Sequence, residues 1–447
     1  MTEHKYHAYG AHNISNVPQF ANLPEEDRFA IDVVSRVLPF KINNYVADEL
    51  INWDNVPNDP VYTLTVPQRG MLAHHHFEAV ARLVRDGAPK DQIDSAVAEI
   101  RATLNPHPAG QLEHNVPELY GERLEGMQHK YRETVLFFPA SGQTCHAYCT
   151  FCFRWPQFVG DKGLKFASAE ASALVDYLRY HPEVTNVLFT GGDPMVMSAA
   201  RLESYIRPIL EARLPNIVSI RIGTKSLSYW PYRYLTDKDS EDVLSLFREI
   251  TGNGLHLAIM AHFNHPQELQ TSAVAEAIGK IRDTGAEIRT QSPLMANIND
   301  RAEDWSAMWR KQVNLGCIPY YMFIARDTGA QQFFRVPLVR AQEIYREAYA
   351  HVSGLARTVR GPSMSADPGK VRVIGPVELP GRKVMALNFL QARDPDWVQR
   401  IFLAEWDENA AWLDELRPAF GETRFFFEDE LAAMHGNALQ ELVFSAR

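Results

Sequence analysis

The 447-residue chain is 46% hydrophobic and 22% charged, enough to fill one large core or two ordinary ones, and its net charge of −10 excludes a general nucleic-acid binder. No run of about 18 uninterrupted apolar residues marks a membrane span, and the start, MTEHKYHAYGAHN, lacks the basic and apolar blocks of a secretory leader, so a soluble, cytoplasmic protein without membrane or nucleic-acid partners is expected. Four cysteines, three of them within eight residues, make no disulfide framework and point to a metal or redox centre.

Residues 1–130 carry helical periodicity in AIDVVSRVLPF, RGMLAHHHFEAVARLV and QIDSAVAEIRATL, joined by proline-rich linkers such as WDNVPNDPVYTLTVPQ; this predicts a mainly helical N-terminal region. From 131 to 355 short apolar runs alternate with longer amphipathic ones. TVLFF precedes ASAEASALVDYLRY, TNVLFTGG precedes SAARLESYIRPILEA, and IVSIRIGT precedes SEDVLSLFREI. LHLAIMAHF then precedes QTSAVAEAIGKIRDTG, EIRTQSPL precedes RAEDWSAMWRKQVNLG, and PYYMFIA precedes LVRAQEIYREAYAHV. Six such units predict an α/β fold with a parallel sheet, a partial (β/α)6 TIM-like barrel whose chemistry sits at the carboxyl ends of the strands. Residues 356–447 read as a C-terminal extension: a loop and hairpin over GPSMSADPGKVRVIGPVELPGRKVMALNFL, then a tail in which ETRFFFEDE reads as a packed edge or dimer contact.

The stretch SGQTCHAYCTFCFRW places Cys145, Cys149 and Cys152 on the loop after the first strand of the series. Structural zinc sites take four ligands, and iron–sulfur clusters normally take four cysteines. Three thiolates on a [4Fe–4S] cluster would leave one iron open to a substrate or cofactor. A zinc site completed by distant residues and three merely buried thiols are the alternatives, and His146 sits between two cysteines where ligation geometry is poor. His74, His75 and His76 are consecutive, so on a helix they point in different directions and read as surface. Cys317 reads as a core residue.

The C-x3-C-x2-C spacing, Phe151 before the last cysteine, and Thr190-Gly191-Gly192-Asp193-Pro194 at the next strand end resemble the radical S-adenosylmethionine superfamily. The resemblance implies that the open iron chelates the amino and carboxylate groups of S-adenosylmethionine, that one electron cleaves it to a 5′-deoxyadenosyl radical, and that Gly191, Gly192 and Asp193 approach this cofactor. PNDP, HKYRETVLFF, CTFCFR, FTGGDPM, RIGTK, HFNHPQE, TQSPLMANIND and PYYMFIARDTGAQQFFRVPL further resemble the lysine 2,3-aminomutase family, from about residue 38 to 375. That resemblance implies a second cofactor, pyridoxal 5′-phosphate, on Lys370, which follows Ser353-Gly354 at the family's spacing; Lys383 competes. It puts Lys130 at a phosphate-holding position, Arg154 on the substrate carboxylate, His262 and His265 near the cofactors, and Gln291 with Ser292 in the cavity wall. The implied reaction moves an amino group from C2 to C3 of an α-amino acid, with flavodoxin or ferredoxin as reductant and a homodimer or higher assembly.

This sequence departs from the family pattern in places. Thr134 replaces a second phosphate-holding basic residue. Ser363 stands where lysine-specific members carry a carboxylate, with Arg357 and Arg360 upstream, so an uncharged or acidic side chain fits better than lysine, although Asp327 and Asp367 could hold a basic one. Ala325 replaces an interface-zinc cysteine, and that zinc is expected to be absent. The alternatives are a pyridoxal-independent radical enzyme of the same fold and, further off, a non-catalytic iron–sulfur carrier or regulator.

Overall fold

A computed structural model describes residues 4–105, 115–159, 166–168 and 171–435. In the N-terminal region, helix α1 (Glu25–Val37) carries Glu25, Glu26 and Asp27 in its first turn and Arg36 in its last, charges that complement the helix dipole, and it buries Ile31, Val33, Val34 and Val37. Helices α2 (His74–Arg85) and α3 (Lys90–Leu104) share its core through Phe77, Val80, Ile93 and Val97. His74 and His75 are exposed, as their alternation in direction requires.

Part of the expected linker is helical. Pro60–Thr65 forms a short helix because the Asp59 carboxylate accepts from Tyr62 N at 2.7 Å and Pro60 occupies the first turn, where no donor is needed.

The rest of the described chain is built on one 11-stranded sheet. An antiparallel edge strand, β1 (Met127–Tyr131), pairs with β2 (Thr134–Phe137). Parallel strands β3 (Asn186–Phe189), β4 (Ser219–Thr224), β5 (His256–His262), β6 (Glu287–Leu294) and β7 (Ile318–Ile324) follow β2 in sequential order. Crossover helices α4 (Ser172–Tyr180), α5 (Ala199–Ala212), α6 (Ser240–Gly252), α7 (Ser272–Arg282) and α8 (Ala302–Asn314) separate them, and α9 (Leu338–Ala350) follows β7. Each expected strand and helix of the six units is therefore present.

The helices cover one face of the sheet with residues such as Leu202, Phe247, Ile278 and Trp305, all fully buried, each contributing about 1.5–3 kcal/mol relative to exposure. Strand β5 is buried over Leu257–Ala261, as a central parallel strand covered on both faces should be.

Sequence and structure differ after α9. Residues 360–365, expected as loop, form β8 (Arg360–Ser365), a seventh parallel strand beside β7, so the sheet runs on past residue 355 without a break. GPSMS carries no apolar alternation to announce a strand. Its pairing depends on contact: a Cβ at Gly361 would lie 2.4 Å from Met322 O. The expected hairpin follows as β9 (Gly369–Leu379) and β10 (Arg382–Ala392), closed by β11 (Ile401–Glu405). In the tail Phe425 and Phe427 are buried near Phe402 while Glu422 and Arg424 face outward.

Lys130 on edge strand β1 donates to Ala366 O just past β8, so a side chain of the first strand reaches the exit of the eighth. Among the described residues no helix is long and apolar enough to cross a membrane.

Candidate active site

The cysteine loop leaves β2 and is clamped from two directions. From the N-terminal region, Tyr148 N donates to Lys41 O (2.7 Å), Thr150 N to Leu64 O (2.9 Å) and Thr150 Oγ1 to Thr63 O (2.7 Å). The His146 carbonyl accepts from Tyr6 OH (2.7 Å) and Asn43 Nδ2 (3.2 Å), and Lys41 Nζ donates to Thr144 Oγ1 (2.9 Å).

From the barrel side comes the glycine turn after β3. A Cβ on Gly192 would sit 2.4 Å from Thr144 O, and one on Gly191, at φ +148, would sit 2.5 Å from Gln143 Nε2. Asp193 N then donates to Thr144 O at 2.7 Å. These glycines are required for backbone to lie on backbone beside the first cysteine.

Cys145, Cys149 and Cys152 are free and half-buried. Burial pushes the Cys149 thiol up to about 11 and Cys152 to about 12, and it also raises Cys145, to which Asp193 and then the other two cysteines add. Neutral thiols at physiological pH become thiolate ligands only when a cationic centre displaces their protons. Burial pushes His146 down to about 3 and so keeps its ring neutral; the ring packs edge-on to Tyr6 at 5.9 Å, and its Nδ1 is buried with no hydrogen-bond partner among the described residues. Among the described residues no group of three His, Cys, Asp or Glu side chains closes on a single-ion point.

Next to this loop lies a cavity of about 680 Å³, within the size range of small-molecule sites. Alternate residues of successive strands line it: Thr134, Leu136 and Phe138 along β2 and its exit, Leu188 and Thr190 at β3, Arg221 and Gly223 on β4, Met260 and His262 on β5, Gln291 and Pro293 on β6, Tyr321 and Phe323 on β7. The period of two is that of one face of a strand. Phe151, Phe153 and Arg154 reach in from the cysteine loop, and Lys130, Ser365 and Lys370 close the far side.

Five of the residues singled out from the sequence therefore fall together in the wall, Lys130, Arg154, His262, Gln291 and Lys370, with the three-cysteine loop adjoining through Phe151, Phe153 and Arg154. Lys370 Nζ lies 4.0 Å from the Tyr321 ring centroid and donates to Gln391 Oε1 at 3.2 Å. Burial lowers it to about 7, with Arg221 and Arg360 adding to the fall, so much of it is neutral near physiological pH. The Arg154 guanidinium stacks 4.2 Å from the Phe138 centroid, and its Nε has no hydrogen-bond partner among the described residues. Burial holds Arg154 down to about 10. Burial likewise keeps the His262 imidazole neutral, accepting from Asn264 Nδ2 at 3.2 Å.

Gly191, Gly192 and Asp193 do not line the cavity. The Asp193 carboxylate is occupied by Thr224 Oγ1 (2.7 Å), Met195 N (2.9 Å) and Lys225 N (2.9 Å), so its part is to fix the turn against the loop. Ser363 is buried outside the cavity, donating to Met322 O, while Asp327 and Asp367 do line it. Lys383 stacks on Trp406 at 3.6 Å, away from the wall, and Cys317 is buried core. His265 accepts from Gln267 N and approaches Asp304 rather than the cavity.

Two features carry no role in the sequence pattern. Lys225 is buried and donates to Glu268 Oε1 (2.5 Å) and Asn264 Oδ1 (2.8 Å). Arg326 enters the cavity and stacks on Phe153 at 4.7 Å.

No family model matches the chain. A putative L-lysine 2,3-aminomutase of Aquifex aeolicus is 29% identical over 393 residues, 88% of this chain and 91% of that protein. L-lysine 2,3-aminomutases of Methanococcus maripaludis and Bacillus subtilis are 26% and 25% identical over 74% and 77% of this chain, and 65% and 62% of their own lengths. Among solved structures, a radical SAM methyltransferase from Sphaerobacter thermophilus covers 65% of this chain and 94% of its own at 17% identity, but its TM-score of 0.38 is too low to carry weight. The chain is thus similar, over most of its length, to proteins named L-lysine 2,3-aminomutase.

Proposed function

We propose, for a chain that resembles the L-lysine 2,3-aminomutases over most of its length, a radical S-adenosylmethionine, pyridoxal 5′-phosphate-dependent amino acid 2,3-aminomutase. The observation that carries this reading is one cavity holding a lysine of depressed basicity, Lys370, a hydrogen-bond-hungry arginine, Arg154, and the three-cysteine loop at its rim. Seven parallel strands in sequential order, with inward residues lining one cavity and opposite edges meeting at Lys130, support the sheet as a partial barrel and residues 131–355 as its main body.

The donor set suits an iron–sulfur cluster: three thiols on one loop, with no carboxylate between them in the sequence. The wall suits a phosphorylated aldehyde, because Lys370 is a nucleophile there and Lys130, whose charge burial and the nearby Arg393 and Arg326 disfavour, lies where a phosphate would restore it. When bound, these groups would supply a 5′-deoxyadenosyl radical and an imine carrier for the migrating amino group.

The chain's own residues do the rest. Lys370, partly deprotonated, supplies the free amine that attacks a carbonyl carbon. Arg154 presents its planar fork to a carboxylate, fixing the substrate backbone next to the cysteine loop. Phe138, Phe151, Phe153 and Tyr321 keep water from the reacting carbon, and neutral His262 and Gln291 offer hydrogen bonds without adding charge.

Charge in the wall argues against a lysine substrate. Lys130, Arg154, Arg221, Arg326 and Lys370 face Asp327, Asp367 and Asp414, and Asp367 is already held by Arg393 at 2.7 Å. An amino acid with an uncharged or acidic side chain is the better fit. A one-electron donor of the flavodoxin or ferredoxin class and assembly into a homodimer or larger complete the proposal.

Anaerobic reconstitution followed by borohydride reduction and peptide mapping tests it. A reduced pyridoxyl adduct on Lys370 is the expected result. An iron–sulfur spectrum with no adduct would instead favour a pyridoxal-independent radical enzyme, the reading to which Thr134 at the second phosphate position points.

A further inference from the structure

Lys130 and Arg326 come from opposite ends of the parallel series, one from edge strand β1 and one from the exit of β7, yet their charged heads lie side by side. Lys130 Nζ donates to Ala366 O, and Arg326 Nη2 donates to Ser365 O at 3.1 Å, so two consecutive carbonyls collect the two cations. Both side chains line the cavity. The next residue, Asp367, has its carboxylate taken by Arg393 Nη2 at 2.7 Å and His435 at 3.2 Å, leaving Asp327 as the nearby acid, adjacent to Arg326 in sequence.

Both side chains are half-buried and hydrogen-bond to neutral carbonyls, with Asp367 and Asp327 as the neighbouring carboxylates; burial and their mutual repulsion disfavour the two charges, and an anion between the heads would relieve both. Thr134, where a second basic residue would have served, instead accepts from Arg221 Nη2 at 3.3 Å.

We propose that Arg326 is a cofactor-binding residue: with Lys130 it forms a cradle for the phosphate of pyridoxal 5′-phosphate, replacing the cation absent at position 134. This rests on the pyridoxal reading above. The geometry is consistent at the other end of the cofactor, because Lys370 lies directly across the strand pair from Ser365, whose carbonyl Arg326 contacts. One short stretch, 365–370, thus fixes both the aldehyde-binding amine and the phosphate cradle. A phosphate monoester, close to a dianion at neutral pH, satisfies both heads; a single carboxylate would leave one unmatched.

The test is a titration of cofactor-free protein, wild type and Arg326→Gln, with pyridoxal 5′-phosphate and with pyridoxal, which lacks the phosphate, following visible absorbance and mapping the reduced adduct. The cradle predicts that Arg326→Gln weakens the phosphorylated aldehyde by roughly 10- to 100-fold while leaving pyridoxal unchanged, and that Arg326→Lys recovers part of the loss. Equal effects on both aldehydes, or no effect on either, would overturn it while leaving the pyridoxal reading intact.

If neither aldehyde modifies Lys370 in the wild type, the pyridoxal reading falls. The cradle for its phosphate then falls with it, whatever inorganic phosphate does to the melting temperature. Unchanged melting temperature and iron content without ligand show that the variant folds; if Arg326→Gln does not fold, the Arg326→Lys titration decides by the same criterion.

Discussion

The cysteine loop is held by backbone: carbonyls of Lys41, Thr63 and Leu64 on one side and the Gly191–Asp193 turn on the other receive or meet its main chain at fixed distances. The cationic wall of the cavity, by contrast, is made of side-chain heads, Lys130, Arg154, Arg326 and Lys370, drawn from four separate segments and steered by contacts to carbonyls, an amide and aromatic rings. The first region tolerates almost no added atom, whereas the second can exchange one cation's origin for another provided the charge arrives in the same place. A loop that must present three thiols at fixed spacing needs a rigid mould; a wall that must neutralise anions needs charge near a point.

Substitutions can break or sharpen that contrast. The largest effect is expected at the thiols: Cys152→Ser should reduce iron bound after anaerobic reconstitution to background. On the wall, Lys370→Met should abolish the borohydride-fixed adduct while stabilising the empty protein. With its folded value near 7 and an unfolded value near 10.4, Lys370 binds fewer protons folded than unfolded, so stability should rise with pH across that window. Lys370→Met should remove this rise, and melting temperatures from pH 7 to 10 check it: a gain at pH 7 that fades toward pH 10.

Within the mould, Gly192→Ala forces a Cβ to 2.4 Å from Thr144 O and should cost about 3 kcal/mol by denaturant titration, with iron retention falling in step. Asn43→Ala removes the donor shared by His146 O (3.2 Å) and Tyr229 O (2.9 Å), and should cost about 1–2 kcal/mol and hasten iron loss to a chelator. Lys383→Ala, outside both regions, should leave stability within about 0.5 kcal/mol and the Lys370 adduct intact. An adduct lost in Lys383→Ala and kept in Lys370→Met would reverse the assignment of the two lysines.

Much of the mould was legible in the chain. Three cysteines four and three residues apart, on a loop after TVLFF, and a glycine pair after TNVLF announced themselves by spacing, and the structure brings those two turns together. The packing of Gly192 and Asp193 on Gln143 and Thr144 was not, since spacing alone does not tell what a glycine turn lies against. Nor was the grip of Asn43 and Lys41, a hundred residues upstream, on the loop.

The wall was legible only in part. Lys130, Arg154 and Lys370 followed from motif positions, but Arg326 sat unremarked in IARD, and GPSMS concealed β8, the strand that carries the carbonyls Arg326 and Lys130 contact.

By itself the sequence determined the order of strands and helices, the cysteine loop and the turn chemistry around it, because these depend on periodicity and on residues close along the chain. The tertiary structure alone decided which cations share a site. That depends on how far an eleven-stranded sheet curls, and so on whether its first strand meets the exit of its eighth, a distance no local pattern encodes.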